Sequence, residues 1–187
     1  MDILLASELQ KDSIVDGEGL RAVIWTQGCP HHCFGCHNEH THSFKGGYIK
    51  SVEDLKQEIS ELKGHNGITL SGGEPLMQIT AITEIAKYAR SLKLNVWCYT
   101  GFTYEQIEDM ITKDERYKEF LNYVDVLIDG KFMIEQKSLN LKYRGSKNQR
   151  IINVKKTLKA GHVCTIKKHE KETGFESIYK KDKYMFT

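Results

Sequence analysis

Apolar positions along the chain switch repeatedly between strand-like runs and helical spacing. Residues 21–27 (RAVIWTQ) are rich in β-formers and lead straight into Gly28 and Cys29. Val52, Leu55, Ile59 and Leu62 then recur at helical intervals, predicting a helix over 51–63 with Ser51 and Asp54 as a capping pair. A short strand at 67–70 ends in Ser-Gly-Gly, and the helical period returns over 79–92 through Ile82, Ile85, Ala86 and Ala89. A strand at 94–99 closes on Thr100-Gly101. Thr103, with Gln106 as capping partner, opens a helical region that runs to about 123 and breaks near Asp114. A fourth strand at 124–128 closes on Asp129-Gly130.

Strands that alternate with helices imply a parallel sheet with right-handed crossovers. After Lys131 the pattern blurs into a short helix over 153–160, stopped by Gly161, and a last strand over 162–167. The unusual residues fall in one kind of place. Cys29, Gly72-Gly73-Glu74, Thr100-Gly101 and Asp129-Gly130-Lys131 all follow the C-terminal end of a predicted strand. In parallel α/β folds that rim is where ligands bind.

The chain has 187 residues, enough for one domain with a sizeable core. A net charge of +2 gives no case for a nucleic-acid partner. Lysines thicken from Lys155 to Lys183, a pattern of a solvated face or loose tail more than of a binding patch. The start of the chain lacks the charged-then-apolar pattern of a signal peptide, and no window is apolar enough for a membrane span. These features predict a cytoplasmic protein. Five cysteines, three of them bunched, do not form a disulfide framework.

Cys29-Pro-His-His-Cys33-Phe-Gly-Cys36 packs three thiols into eight residues. Thiolates this close repel unless a metal takes up their charge, so metal binding is the first inference. Two metals remain open. His31, His32, His37, His40 and His42 could complete a Cys3His zinc site, although zinc ligands usually come as two separated pairs and no second pair is present. An iron–sulfur cubane normally takes four thiolates; three would leave one iron open. Cys98 alternates with Trp97 and Tyr99 in a strand and is better explained as a small buried residue. Cys164 is explained in the same way.

The C-x3-C-x2-C spacing resembles the signature of the radical S-adenosylmethionine superfamily. Val15-Asp16-Gly17-Glu18-Gly19-Leu20-Arg21, Gln27-Gly28-Cys29 and Cys36-His37-Asn38 narrow the likeness to the activases of glycyl radical enzymes. Within these, the cysteine segment and Arg144-Gly-Ser-x-Asn148-Gln149-Arg150 resemble the family that activates anaerobic ribonucleoside-triphosphate reductase. The likeness spans roughly 12–161.

That resemblance implies an α/β fold, an incomplete (βα) barrel of about five or six parallel strands, over residues 1–167, with a basic tail at 168–187. It implies that Cys29, Cys33 and Cys36 hold one 4Fe–4S cluster whose fourth iron is chelated by S-adenosylmethionine. It assigns the cofactor pocket to Gly35, Cys36, His37, Gly72, Gly73, Glu74, Thr100, Asp129, Gly130 and Lys131, with Asp129 near the ribose and Lys131 near the methionyl carboxylate. His37 and Asn38 would orient the cysteine loop. The implied partners are the glycyl radical subunit of the reductase, faced by Arg144, Asn148, Gln149 and Arg150, and an electron donor such as flavodoxin. Gly35 stands where many superfamily members carry an aromatic residue, with Phe34 one place earlier. The alternatives are activation of another glycyl radical enzyme, a small-molecule reaction, or a zinc-stabilised binding module without catalysis.

Overall fold

The computed structural model describes residues 1–170. Residues 171–187, most of the expected basic tail, lie outside them. The chain opens with β1 (Asp2–Leu5), β2 (Gln10–Ser13), β3 (Arg21–Thr26) and β4 (Tyr48–Ser51), followed by α1 (Val52–Ser60). Then come β5 (Gly67–Gly72), α2 (Ile79–Ser91), β6 (Asn95–Tyr99), α3 (Tyr104–Lys113), α4 (Arg116–Leu121) and β7 (Val126–Asp129). β8 (Arg150–Asn153) and α5 (Val154–Ala160) complete the regular elements.

All eight strands belong to one sheet in the order β4-β1-β3-β5-β6-β7-β8, with β2 also paired to β3. Only β3, β5, β6 and β7 run parallel to one another. β1 and β2 are antiparallel to β3, β4 to β1, and β8 to β7. The expected barrel of five or six parallel strands is thereby corrected to an open mixed sheet with four parallel strands. The cause is the connection after β7. It holds a 3-10 turn (Ile134–Gln136) but no crossover helix, so the chain returns antiparallel as β8.

Local signals set the helix ends. The Ser51 side chain accepts from the backbone N–H of Glu53 and Asp54, and Thr103 and Gln106 form a complete capping box. Asp114 is extended at φ −154°, which separates α3 from α4. Gly161 ends α5 in the left-handed region at φ 71°. The last strand expected over 162–167 is reduced to a single bridge between Thr165 and Ile152.

Strand alternation sorts side chains onto two faces. Ala22, Ile24, Ile68, Leu70, Val96, Cys98, Leu127 and Ile152 face the helices in the main core. The opposite face carries Trp97, Val126, Ile128 and Ile151, covered by Tyr143 and Ile166. Arg21, which has no solvent exposure, also lies here. It donates to Thr69 Oγ1 at 2.7 Å and Asn95 Oδ1 at 2.6 Å, and its guanidinium sits 5.2 Å from the Trp97 ring centre. Burial lowers its pKa only to about 10, so it stays charged at neutral pH. Residues 164–170 cross this face as a strap. Ile166 N donates to Ile151 O at 2.8 Å, His169 packs near Trp97, and Lys168 pairs with Glu18 at 2.7 Å.

Candidate functional site

The cysteine loop leaves β3 and is tied back to itself. Gly28, at φ 94°, donates to Thr41 O at 2.8 Å, and Cys29 N donates to His42 O at 3.0 Å. Within the loop Cys36 N donates to Cys33 O at 3.2 Å, and Gly35 takes φ 69°. The Asn38 backbone N–H points at Cys36 Sγ, 3.4 Å away. Such a donor favours the thiolate. In the free protein burial opposes it, pushing the Cys29 thiol up to about 11 and raising Cys36 as well.

The turn after β5 packs directly beneath this loop. Gly73 N donates to Thr26 O at 2.7 Å, and Glu74 N to Gly28 O at 2.8 Å. A Cβ on Gly73 would overlap the Gly28 carbonyl. The Glu74 carboxylate is fully buried and lies behind the wall. It accepts from Thr100 Oγ1 at 2.9 Å, Gly101 N at 2.8 Å and Leu76 N at 3.1 Å, and it contacts His31 Nε2 at 2.8 Å.

Above these turns opens a cavity of about 370 Å³. Cys29, Cys33 and Cys36 line it together with His37, Gly72, Gly73, Thr100 and Gly130. Four residues expected in the pocket stand elsewhere. Glu74 is held as described, Gly35 turns towards Ile134, and Lys131 is exposed beyond the lining. Asp129 shares its strand face with Leu127 and therefore points to the helix side. There it accepts from Tyr104 N at 2.7 Å and from Arg150 Nε at 3.0 Å.

The segment expected to face a partner is held by hydrogen bonds to its own chain. Arg144 donates to Gln149 O at 2.7 Å, Gln149 Nε2 to Gly130 O at 3.0 Å, and Asn148 Nδ2 to Lys131 O at 2.8 Å. Arg144 and Gln149 line the cavity; Asn148 and Arg150 do not. Arg150 opens β8 and bridges Asp129 and Glu105, whose carboxyl it lowers to about 2. Four aromatic lining residues went unnoticed in the sequence: Trp25, Tyr99, Phe132 and Tyr143. The strand period alone could have found Trp25 and Tyr99, since each is an even number of residues from the inward-facing Arg21 or Trp97.

Comparison with known proteins bears on this arrangement. The family model described as a 4Fe-4S single cluster domain matches residues 15–152. An anaerobic ribonucleoside-triphosphate reductase-activating protein of Haemophilus influenzae is 35% identical over 144 residues, covering 73% of this chain and 89% of the relative. Proteins of the same description from Enterobacteria phage T4 and Escherichia coli K12 are 36% and 31% identical, covering 86% and 90% of the relatives. This chain belongs to the family of anaerobic ribonucleoside-triphosphate reductase-activating proteins.

The residues present fit the cluster of that family. Among the described residues no three His, Cys, Asp or Glu side chains converge closely enough to hold a single metal ion. The three thiols nevertheless open into one cavity. Three thiols on one cavity can take three irons of a 4Fe–4S cluster and leave the fourth open, in keeping with the 4Fe-4S single cluster domain that matches residues 15–152. No helix among the described residues is long and apolar enough to cross a membrane.

Proposed function

We propose that the protein is a radical S-adenosylmethionine activase that installs a glycyl radical on anaerobic ribonucleoside-triphosphate reductase. Its family membership and its thiol-lined cavity beside glycine-bearing strand ends carry this proposal. When bound and reduced, the 4Fe–4S cluster supplies the electron that splits S-adenosylmethionine into methionine and a 5′-deoxyadenosyl radical, which takes hydrogen from a Gly Cα.

The chain's own residues place that chemistry. Cys29, Cys33 and Cys36 would hold the cluster. Gly72, Gly73, Thr100 and Gly130 would line the cofactor's side of the cavity. At the two glycines after β5 a Cβ would strike the Thr26 and Gly28 backbone, and its absence lets this turn pack close under the cysteine loop. Lys131 stands exposed beside Gly130, outside the cavity lining, and would meet the methionyl carboxylate only by swinging its side chain over the rim. Asp129 has no part in ribose binding on this geometry, because its carboxylate serves α3 and Arg150 on the far face. Arg144 and Gln149 hold the rim through which a partner's glycine-bearing loop would enter. The electron would come from a donor such as flavodoxin. Residues 1–167 would act as one catalytic domain, with the basic tail beyond.

Electron paramagnetic resonance tests the assignment. The reductase, incubated anaerobically with this protein, reductant and S-adenosylmethionine, should develop a glycyl doublet. Pyruvate formate-lyase should develop none. A doublet on pyruvate formate-lyase alone would overturn the partner and leave the chemistry standing.

A further inference from the structure

One side chain of the cysteine loop has no part in the cofactor assignment above. His31 lies between Cys29 and Cys33, yet only 6% of its side chain is exposed. Its Nε2 sits 2.8 Å from Glu74 Oε2, and its ring meets Phe102 edge-on with centroids 4.5 Å apart. Three other donors already converge on Glu74: the Thr100 hydroxyl and the backbone N–H groups of Gly101 and Leu76. His31 Nε2 is the fourth hydrogen-bond partner gathered on this one carboxylate.

This one buried carboxylate therefore joins three strand-end loops. Its own turn follows β5, Thr100-Gly101 follows β6, and His31 brings in the loop after β3. Gly101 is shaped to the contact, because a Cβ there would overlap the His31 ring. Between Cys29 and Cys36 the chain forms no helix or strand, and His32 holds φ 47°. Such a segment keeps a fixed spacing of thiols only if something outside it sets that spacing.

We propose that His31 is a positioning residue for the cluster. Through its hydrogen bond to Glu74 it fixes the Cys29–Cys33 half of the loop against the ends of β5 and β6. The three thiols then stand at a set spacing before iron arrives. The inference rests on the assignment of Cys29, Cys33 and Cys36 as the ligands. Loss of an outer partner of a metal site typically costs about 10- to 100-fold in metal affinity or activity.

The test uses the full chain, reconstituted anaerobically with iron and sulfide. Its readouts are iron per chain, the rate at which a chelator bleaches the visible absorbance, and the resonance spectrum of the reduced cluster. His31→Ala should bleach about tenfold faster or more and give an altered spectrum. His31→Gln, whose amide can still donate to Glu74, should recover most of the wild-type rate. Gly101→Ala keeps every donor but displaces the ring, so it should resemble His31→Ala. Circular dichroism of the apoproteins checks folding; if His31→Ala does not fold, the Gln and Gly101 variants decide. Wild-type bleaching in His31→Ala or Gly101→Ala, or no recovery in His31→Gln, overturns the proposal. Failure of the wild-type chain to take up a cluster, or retention of a normal one in Cys29→Ala, overturns the ligand assignment beneath it.

Discussion

Asp129 and Arg150 stand directly opposite each other on β7 and β8, and their side chains pair on the helix-covered face. Asp129 is 1% exposed, so removing Arg150 leaves a buried carboxylate with only the Tyr104 N–H at the start of α3 to offset its charge. Arg150→Ala should cost on the order of 3 kcal/mol. For a domain of this size that lowers Tm by about 6–12 °C. Calorimetric titration of the loaded protein should still find near-normal S-adenosylmethionine affinity in any variant that folds. A large loss of affinity with unchanged Tm would return this pair to the cofactor pocket.

Gly73 makes its own prediction. The Cβ of Gly73→Ala points at the Gly28 carbonyl, the group just ahead of Cys29. The overlap should displace the cysteine loop, costing about 1–3 kcal/mol by overpacking and reducing iron uptake. Iron and sulfide analysis after reconstitution checks this. Full iron content with weakened cofactor binding would show that the side chain intrudes on the cofactor instead.

The cysteines divide into two classes. Ala at Cys29, Cys33 or Cys36 should abolish the visible absorbance of the cluster. Cys98 is fully buried against the helices, so Cys98→Ser should keep the cluster and lose roughly 1–3 kcal/mol by burying a hydroxyl. Absorbance spectra and thermal melts of the four variants separate the classes.

Burial of Cys29 also predicts how the apoprotein behaves. Its thiol, raised from 9.0 to about 11, has at pH 8 about a hundredfold less thiolate than an unshifted one. Greater intrinsic nucleophilicity recovers about tenfold of that, so alkylation should lag roughly tenfold behind an exposed thiol. Mass spectrometry of timed iodoacetamide reactions measures the lag. The fold favours the protonated thiol, so this group's contribution holds below pH 9 and is lost as pH rises towards about 11. Apoprotein Tm should fall across that window.

Sequence pattern located the parallel centre of the fold because its strands and helices are long and strongly periodic. It missed β1, β2, β4 and β8, four residues each; the last three lack the unbroken apolar run that marks the equally short β7. The thiols were legible from spacing alone. Asp129 was misplaced because a strand-end position does not reveal which face a side chain takes; counting from Leu127 would have settled it. The link from His31 to Glu74 joins residues 43 apart in sequence, and no local pattern encodes it.

The separation between the thiols and their frame has a consequence during synthesis. Cys36 leaves the ribosome 65 residues before Gly101. At roughly 5–20 residues per second, that is about 3–13 s in which the nascent chain displays three clustered thiols with no β6 to brace them. Stray zinc or an oxidant meets the same thiols in that interval that iron must later find. On the proposed ligand assignment, the bracing of the cysteine loop is complete only once β6 and the turn after it have joined the sheet, so a preformed thiol site is a property of the assembled fold and not of the emerging chain.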